Sequence, residues 1–345
     1  MKTFDIVIIG GGPAGAGAAK KLKDSGLSYC VIEKYIYPRK KLCAGGLTNK
    51  STKAIKQLGL DTGCVQKRGF DAVTFATKNC KKEVSLNDPL FMVDRIEFDA
   101  EMMKQSVSDE HLFQGETVTD LRLDENLLIT DKDEYKFRYI IFADGVNGYS
   151  GRLISGREFG FAVECNSPVI FDKTVVDFEA TKDGYGWIFP KVEHTTIGLG
   201  GNGKHSKDYV EQLMRFANKY DLEIKKADIK GFRLPVFSEE VYKKSVIDEK
   251  AILVGDAGGM VDCITGEGIC YALLSGMYAA EAIISAEEKG TKLSDVYFKK
   301  TAGIARVLQR RIDQSRILYS PLRNFMIRKA LTDERYIQRL RNAFG

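Results

Sequence analysis

Three glycines near the amino end have the spacing of a phosphate-binding turn. Gly10, Gly12 and Gly15 follow the apolar run 5–9 and open an alanine-rich segment. Between a strand and a helix, the first glycine permits the tight turn, the second lets the backbone approach a diphosphate, and the third lets the helix pack closely on the sheet. The free N–H groups of the first helical turn, around Ala14, then face the anion. The spacing therefore predicts a dinucleotide site.

A carboxylate stands where such a site needs one. Glu33, followed by Lys34, ends the second apolar run, eighteen residues beyond Gly15. An acid at this point accepts hydrogen bonds from the adenosine ribose hydroxyls. The alternative is a glycine-rich turn in an unrelated α/β protein, and the strand before, the helix after and the acid favour the dinucleotide. The turn alone is compatible with FAD and with NAD.

A second motif far along the chain selects between these cofactors. The apolar run Ala251–Val254 continues as Gly-Asp-Ala, and Gly-Glu-Gly-Ile at 266–269 opens a helix. This segment resembles the flavoprotein monooxygenase and reductase superfamily with the para-hydroxybenzoate hydroxylase-like fold. The resemblance implies FAD, with Asp256 bonded to the ribityl chain. It also implies that Gly266, Gly268 and Ile269 lie at the flavin, where the helix dipole stabilises negative charge on the reduced ring.

Other stretches are similar to the same superfamily. Ala-Asp-Gly at 143–145, with Ser150 and Arg152 after it, resembles its DG motif. The resemblance further implies that Arg95 contacts the FAD phosphates, work that suits a guanidinium. It places Val118 in the strand whose backbone meets the adenine. The alternatives are a surface charge on a helix for Arg95 and core packing for Val118.

Two further matches point to one family within that superfamily. The loop RKKLCAGGL at 39–47 resembles the R-x-K-x-C-G-G loop of the geranylgeranyl reductases, and YGWIFP at 185–190 matches their Y-x-W-x-F-P motif. The resemblance implies an enzyme that uses reduced FAD to saturate carbon–carbon double bonds of isoprenoid chains. It also implies that Cys43, Ala44 and Gly46 lie at the flavin. Ala44 stands where the family has Gly.

Cys43 and the aromatic strand are the candidate groups for substrate chemistry. A thiol at Cys43 could position substrate, deliver a proton or act as a redox relay, and the alternative is a small buried packing residue. Tyr185, Trp187 and Phe189 alternate along one strand, so their side chains share a face. That face is either a substrate-binding wall over the flavin or part of a sandwich-like core.

The elements that position these residues indicate an α/β fold. A Rossmann-like FAD-binding domain is interleaved with an antiparallel-sheet substrate domain, and helices follow at the carboxyl end. The FAD-binding domain is predicted at 1–68, 94–158 and 247–288. The substrate domain takes 69–93 and 159–246, and a helical tail takes 289–345. Short alternating apolar segments typical of antiparallel strands fill the substrate domain.

Composition restricts the class of protein. The chain has 345 residues, is 44% hydrophobic and carries a net charge of +5, as is typical of soluble globular proteins. The mild basic excess is weak support for nucleic acid, and anionic cofactors or a membrane surface explain it as well, so no nucleic acid partner is predicted. The seven cysteines are scattered without CxxC pairs, so neither a disulfide framework nor a metal site is predicted.

These features favour a cytoplasmic enzyme, soluble or peripheral to a membrane. The basic tail is compatible with an amphipathic surface on an anionic membrane, and a solvated helix face packed on the domain is the alternative we favour. Its cationic residues include Lys299, Lys300, Arg306, Arg310, Arg311, Arg316, Arg323, Arg328 and Lys329. The expected partner is an apolar small molecule or lipid, and the sequence carries no signal for an oligomeric state.

Three functions are compatible with these motifs. The first is an FAD enzyme that reduces prenyl double bonds. The second is an FAD monooxygenase or halogenase acting on an aromatic or other small molecule, although Tyr185 and Phe189 replace the first Trp and the Ile of the halogenase W-x-W-x-I-P motif. The third is a non-catalytic flavin-binding protein. The sequence carries one dinucleotide motif, so an NAD(P)H electron donor would bind transiently without a domain of its own, and ferredoxin or another carrier is the equal alternative.

Overall fold

The computed structural model describes residues 1–78, 80–320 and 323–344. The strands in chain order are β1 Lys2–Thr3, β2 Ile6–Ile9, β3 Tyr29–Glu33, β4 Gly46–Leu47, β5 Lys67–Ala76, β6 Lys81–Val93, β7 Leu112–Gln114, β8 Val118–Arg122, β9 Leu127–Thr130, β10 Glu134–Lys136, β11 Tyr139–Phe142, β12 Glu158–Ser167, β13 Thr174–Asp177, β14 Gly184–Pro190, β15 Thr195–Gly201, β16 Lys230–Val236, β17 Val246–Ile247 and β18 Ala251–Leu253. The α-helices are α1 Pro13–Leu22, α2 Asn49–Gln57, α3 Arg95–Ser106, α4 Tyr209–Lys219, α5 Glu239–Lys243, α6 Ile269–Lys289, α7 Leu293–Leu318, α8 Arg323–Thr332 and α9 Glu334–Phe344.

A mainly parallel sheet forms the centre of the first half of the fold. Its order among the described residues is β17-β18-β11-β2-β3-β7, and only β17 pairs antiparallel. Strand β2 reads IVII with every side chain buried, as expected when both faces of a parallel sheet are covered. Ile6 and Ile8 pack against the helical layer, whereas Val7 and Ile9 pack against a small sheet of order β1-β10-β9-β8. This arrangement confirms the predicted Rossmann-like unit.

Helices α1 and α6 cross at unusually close range on the helical face of this sheet. A Cβ added at Gly17 would collide with the backbone carbonyl of Leu273, and one added at Gly276 would collide with the carbonyl of Ala14. The two glycines therefore let the helix backbones touch. As a result, the first turn of α1 and the first turn of α6 lie side by side although they are far apart in sequence.

A second, larger sheet carries the aromatic strand. Its order is β16-β12-β15-β14-β13-β5-β6-β4 in the described part of the chain. The predicted antiparallel sheet is present, with one correction: β5 and β13 run parallel, because the chain leaves this sheet after β6 and returns to it at β12. Helix α4 covers one face, where Leu213 and Phe216 pack on Ile188 and Ile197.

The tail packs on the opposite face of this sheet. Ile327, Leu331 and Ile337 are buried against β5, β6 and β13. Arg323 donates hydrogen bonds to four backbone carbonyls around β14, those of Phe178, Thr181, Lys182 and Gly184. The predicted helical character of the tail is confirmed for the described residues; positions 321, 322 and 345 lie outside them.

Among the described residues, one helix has the length and apolar composition of a membrane span. It is α6, Ile269–Lys289, and two-thirds of its apolar window is buried inside the protein. Because it packs between α1, α2 and α7, it is the central core helix of the fold.

The α1–α6 crossing gives a stability prediction. In Gly276→Ala the new methyl group meets the Ala14 carbonyl, so we expect a loss of about 1–3 kcal/mol of unfolding free energy, typical of overpacking. The matched control is Gly303→Ala in α7, where nothing lies within 4 Å of an added Cβ and a gain of up to about 1 kcal/mol is expected. Thermal unfolding of both variants checks this. A rise in Tm for both would contradict the close crossing.

Candidate functional site

A cavity of about 760 Å³ lies where the parallel sheet faces the larger sheet. Its wall combines the carboxyl ends of β2, β3 and β11, the start of α6, the loop before β4, and the aromatic strand β14. The predicted site residues that line it are Gly10, Gly12, Ala14, Glu33, Lys34, Cys43, Ala44, Gly46, Arg95, Val118, Tyr185, Trp187, Phe189, Asp256, Gly266, Gly268 and Ile269. Gly15 lies beneath this wall. The structure thus brings the separate motifs to one site.

The three glycines of the turn have different surroundings. Gly10 has a φ of +99° and approaches the backbone of Ala143, and a Cβ at Gly15 would collide with the Gly10 carbonyl. Both positions therefore exclude side chains for reasons internal to the fold. Gly12 has an extended backbone, and an added Cβ would meet only Arg39 Nη2, at 3.7 Å. Gly12 is thus the glycine whose missing side chain leaves room toward the cavity.

Glu33 holds the turn in place. Its Oε2 accepts a hydrogen bond from Gly11 N at 2.8 Å, and its Oε1 accepts one from Tyr35 N at 3.0 Å. The Tyr37 hydroxyl donates to the Gly11 carbonyl. A carboxylate has about four acceptor positions, so Glu33 retains capacity for a ligand hydroxyl on its cavity side.

Two arginines share one buried carboxylate beside the turn. Arg95 binds Asp99 through Nε at 2.6 Å and Nη2 at 2.9 Å, and Arg39 Nη1 lies 3.2 Å from Asp99 Oδ2. Burial, the largest single effect, lowers the pKa of both guanidinium groups, but Asp99 and the other neighbouring acidic groups together outweigh it, and the pKa of each is raised. Both therefore stay charged in the cavity wall, where they suit a diphosphate.

Two helix N-termini open into the same cavity. Gly12 precedes α1 and Gly268 precedes α6, and neither helix start has a side-chain cap. Uncapped N–H groups and the positive end of the dipole favour negative charge. The α6 start lies beside Asp256, whose Oδ1 would be 3.5 Å from a Cβ at Gly268.

The loop between Asp256 and α6 is fixed from outside the motif. Asp262 Oδ1 accepts from Ile264 N at 2.9 Å and from Thr265 N at 3.3 Å, and Asp262 Oδ2 lies 2.9 Å from Arg311 Nε of α7. Asp262 is fully buried. The carboxyl-terminal helix α7 thus anchors the loop that presents Gly266 to the cavity.

The aromatic strand faces this loop. The Tyr185 hydroxyl donates to the Thr265 carbonyl, and burial raises the pKa of Tyr185, so the phenol stays protonated. Trp187 is 6% exposed, and its Nε1 has no hydrogen-bond partner among the described residues. Tyr185 and Phe189 also pack with the buried residues under the tail helices. The two predicted roles, cavity wall and core, therefore coexist in one strand.

Cys43 lies in the cavity wall between the cationic pair and the aromatic strand. Its Sγ accepts a hydrogen bond from Gly45 N at 3.4 Å. Gly45 has a φ of +76°, and a Cβ there would collide with the carbonyl of Val93. The loop is therefore held closely against the end of β6, and its path keeps Cys43 half-buried.

Some cavity residues carry no motif that the sequence reveals. Phe232, Arg233 and Leu234 of β16 line the cavity, because β16 pairs with β12 at the edge of the larger sheet. Thr48 donates to Glu267 across the cavity floor. A Thr before a helix is a local sequence signal for the cap that Thr48 forms on α2. Nothing local in the sequence indicates that Thr48 also binds the distant Glu267.

The described residues fit an FAD molecule. Room at Gly12, two uncapped helix starts, a charged arginine pair and the Glu33 carboxylate converge on one cavity. In the described residues no cluster of His, Cys, Asp and Glu could hold a metal ion.

Comparison with known proteins agrees with this chemistry. Residues 3–210 match the family model of the FAD binding domain. An uncharacterized protein of Methanosarcina barkeri is 36% identical over 303 residues, which cover 84% of this chain and 77% of that protein. The digeranylgeranylglycerophospholipid reductase of Methanosarcina acetivorans is 29% identical over 332 residues, which cover 86% and 80%.

Two solved structures share the fold. A geranylgeranyl bacteriochlorophyll reductase-like protein from Thermoplasma acidophilum superposes with a TM-score of 0.78 at 22% identity, covering 93% of this chain and 88% of that one. The flavin-dependent brominase Bmp2 has a TM-score of 0.77 at 20% identity, covering 97% and 93%. At these identities the likeness concerns the fold.

The chain belongs to the FAD binding domain family of flavoproteins. It is an FAD-dependent oxidoreductase, and its predicted resemblance to the geranylgeranyl reductases is confirmed by its relatives.

The different surroundings of the turn glycines predict separable effects. In Gly12→Val the added Cβ faces the cavity and meets only Arg39 Nη2, so we expect the protein to keep its apoprotein Tm but to bind FAD about 100-fold more weakly, or about 2.7 kcal/mol. Gly15→Val should instead lower the Tm of the apoprotein. Flavin absorbance after purification and thermal unfolding distinguish the two. Normal FAD content in Gly12→Val would contradict this site.

Proposed function

We propose that this enzyme reduces carbon–carbon double bonds of a prenyl chain of the geranylgeranyl type, by hydride transfer from reduced flavin. The observation that carries the proposal is that Cys43 and the aromatic strand line the same cavity as the flavin-binding motifs. The relative named as a digeranylgeranylglycerophospholipid reductase supports it. An apolar small molecule or lipid is therefore the expected partner, and the enzyme acts in the cytoplasm or at a membrane surface.

The cofactor contacts follow the motifs. We assign the diphosphate to the turn around Gly10, Gly12 and Ala14 with Arg95, and the ribose to Glu33 with Lys34 beside it. The remaining assignments to FAD are Gly15 beneath the turn, Val118 at the adenine, Cys43, Ala44 and Gly46 in the loop before β4, and Asp256, Gly266, Gly268 and Ile269 around the start of α6.

The chain's own residues then have three tasks in the reaction. When bound and reduced, the flavin supplies the hydride. Tyr185, Trp187 and Phe189 form an apolar wall that binds the isoprenoid chain, since each buried CH₂ contributes about 0.8 kcal/mol. Tyr185 also binds the loop at Thr265, and this hydrogen bond fixes the position of the wall relative to the cofactor site. Cys43 delivers or orients the proton that the second carbon receives.

The function is tested with the intact holoprotein. The flavin is reduced anaerobically and geranylgeranyl compounds are added, and we expect product masses to rise in steps of two hydrogens. Omitting the reductant is the control. Gain of an oxygen atom in air, with NAD(P)H consumption, would instead identify a monooxygenase. Substituting NADPH or reduced ferredoxin for the chemical reductant identifies the donor.

The assignment of Cys43 gives a separate prediction. Cys43→Ala removes the thiol beside the flavin site, and we expect kcat for prenyl reduction to fall about 100-fold, the lower end of acid–base contributions. The flavin absorbance and FAD content should be unchanged. Cys64→Ala is the matched control because Cys64 is exposed. Unchanged kcat in Cys43→Ala would limit the thiol to packing.

A further inference from the structure

Glu164 is a buried acid that the flavin motifs do not use. It lies in β12 on the face of the larger sheet that meets the cavity, and it is 4% exposed. Glu164 pairs with Gly198 of β15, which pairs with Trp187 of β14. Directly opposed residues in antiparallel strands project from the same face, so Glu164 and Trp187 belong to one row across the sheet.

Gly198 lets the indole ring lie across this row. A Cβ at Gly198 would collide with the six-membered ring of Trp187, so only glycine permits the ring to lie flat toward Glu164. Both polar groups beside this glycine lack partners: Glu164 Oε2 and Trp187 Nε1 are buried without a hydrogen bond among the described residues. Such pairs of unsatisfied buried atoms are uncommon and require a reason.

The charged groups around Glu164 come from several elements. Its carboxyl group lies close to the backbone N–H of Cys43 in the loop before β4, and the neighbouring ionisable side chains that face it are Lys41, Arg95 and Lys191. Cys165, the next residue in β12, projects to the opposite face, where α4 packs. Lys230 of β16 is its cross-strand partner on the other side. Burial raises the pKa of Glu164 to about 7, although Lys191 and the Cys43 N–H oppose this shift. Burial also lowers the pKa of Lys191.

The direction of this pKa shift determines the protonation state of Glu164. Because the pKa lies above its ordinary value, Glu164 is protonated in the folded protein below about pH 7 and loses its proton above it. It therefore holds a proton in a pH range where exposed carboxyl groups have released theirs.

We propose that Glu164 is the internal proton reserve of the cavity and restores the proton that Cys43 delivers to the substrate. The inference rests on the proposed prenyl reduction. Saturation of one double bond breaks its π bond and forms two C–H bonds, one with a hydride from reduced flavin and one with a proton. That proton leaves the Cys43 thiol, Glu164 replaces it as its own O–H bond breaks, and solvent reprotonates Glu164 between turnovers. Glu164 thus acts through Cys43 and is a positioning and relay residue.

The single tryptophan makes the buried acid observable without substrate or cofactor. Trp187 is the only Trp in the chain, and ionisation of a carboxyl group beside an indole changes its emission. We expect the fluorescence of the wild-type apoprotein to titrate with a midpoint near pH 7, and Glu164→Gln to abolish this step. Glu158→Gln, an exposed position in the same strand, should keep it. His194→Gln controls for the half-buried imidazole near Lys191, whose pKa is lowered by burial.

Steady-state kinetics of the holoprotein test the role itself. We expect kcat for wild-type prenyl reduction to fall above about pH 7, and Glu164→Gln to lose about 100-fold in kcat together with this alkaline limb. KM and FAD content should be unchanged. A wild-type fluorescence without a step near neutrality, or a Glu164→Gln enzyme with wild-type kcat and the same alkaline limb, overturns the inference while prenyl reduction stands. If wild-type protein reduces no prenyl chain, the proposed function fails and the relay role fails with it.

Discussion

The contact between α1 and α6 is the constraint from which the site follows. Gly17 and Gly276 remove the side chains that would hold the two helices apart. Their N-termini therefore open side by side at the carboxyl edge of the parallel sheet. Each end supplies free N–H groups to one cavity, one from the glycine turn and one beside Asp256. Neither motif alone could enclose a dinucleotide that carries a flavin.

Buried ion pairs connect the glycine turn to the loop that carries Cys43. Glu33 accepts a hydrogen bond from Gly11 N and so fixes the turn, and its Oε2 lies 3.4 Å from Arg39 Nε. Arg39 and Arg95 both form ion pairs with Asp99. Arg95 in turn lies beside Cys43. Breaking a buried pair leaves an unpaired charge at a cost of about 3–5 kcal/mol, so this chain of contacts is held as a unit. The phosphate side of the cavity and the Cys43 loop are consequently positioned together.

The sequence predicted the parts of the site that short-range geometry determines. Glycine spacing identified the turn, and the structure gives Gly15 the packing contact that the spacing assigned to it. Asp94 caps α3 through a hydrogen bond from Ile96 N, a local signal of the same short range. The Arg95–Asp99 ion pair could also have been predicted from the sequence, since residues four apart on a helix are neighbours. The domain boundaries stay a prediction.

What the sequence could not give are contacts between distant segments. Arg311 was one of many basic residues in the tail, and nothing near it in sequence indicates that Asp262 is its partner. The residues of β16 reach the cavity because β16 pairs with β12 at the edge of the sheet. No motif in β16 indicates this pairing. The parallel pairing of β5 with β13 is equally a property of the chain path.

In the tail, contacts with distant segments change how the pattern of basic and apolar residues is interpreted. Its basic and apolar residues are compatible with a helix on an anionic membrane, yet Arg311 binds the loop at Asp262 and Arg323 binds backbone carbonyls around β14. These two arginines are used inside the protein, one on each side of the cavity. Because Tyr185 of β14 also binds Thr265 of that loop, the tail contacts both of the cavity surfaces that Tyr185 joins. The tail therefore contributes to the fold on both sides of the cavity.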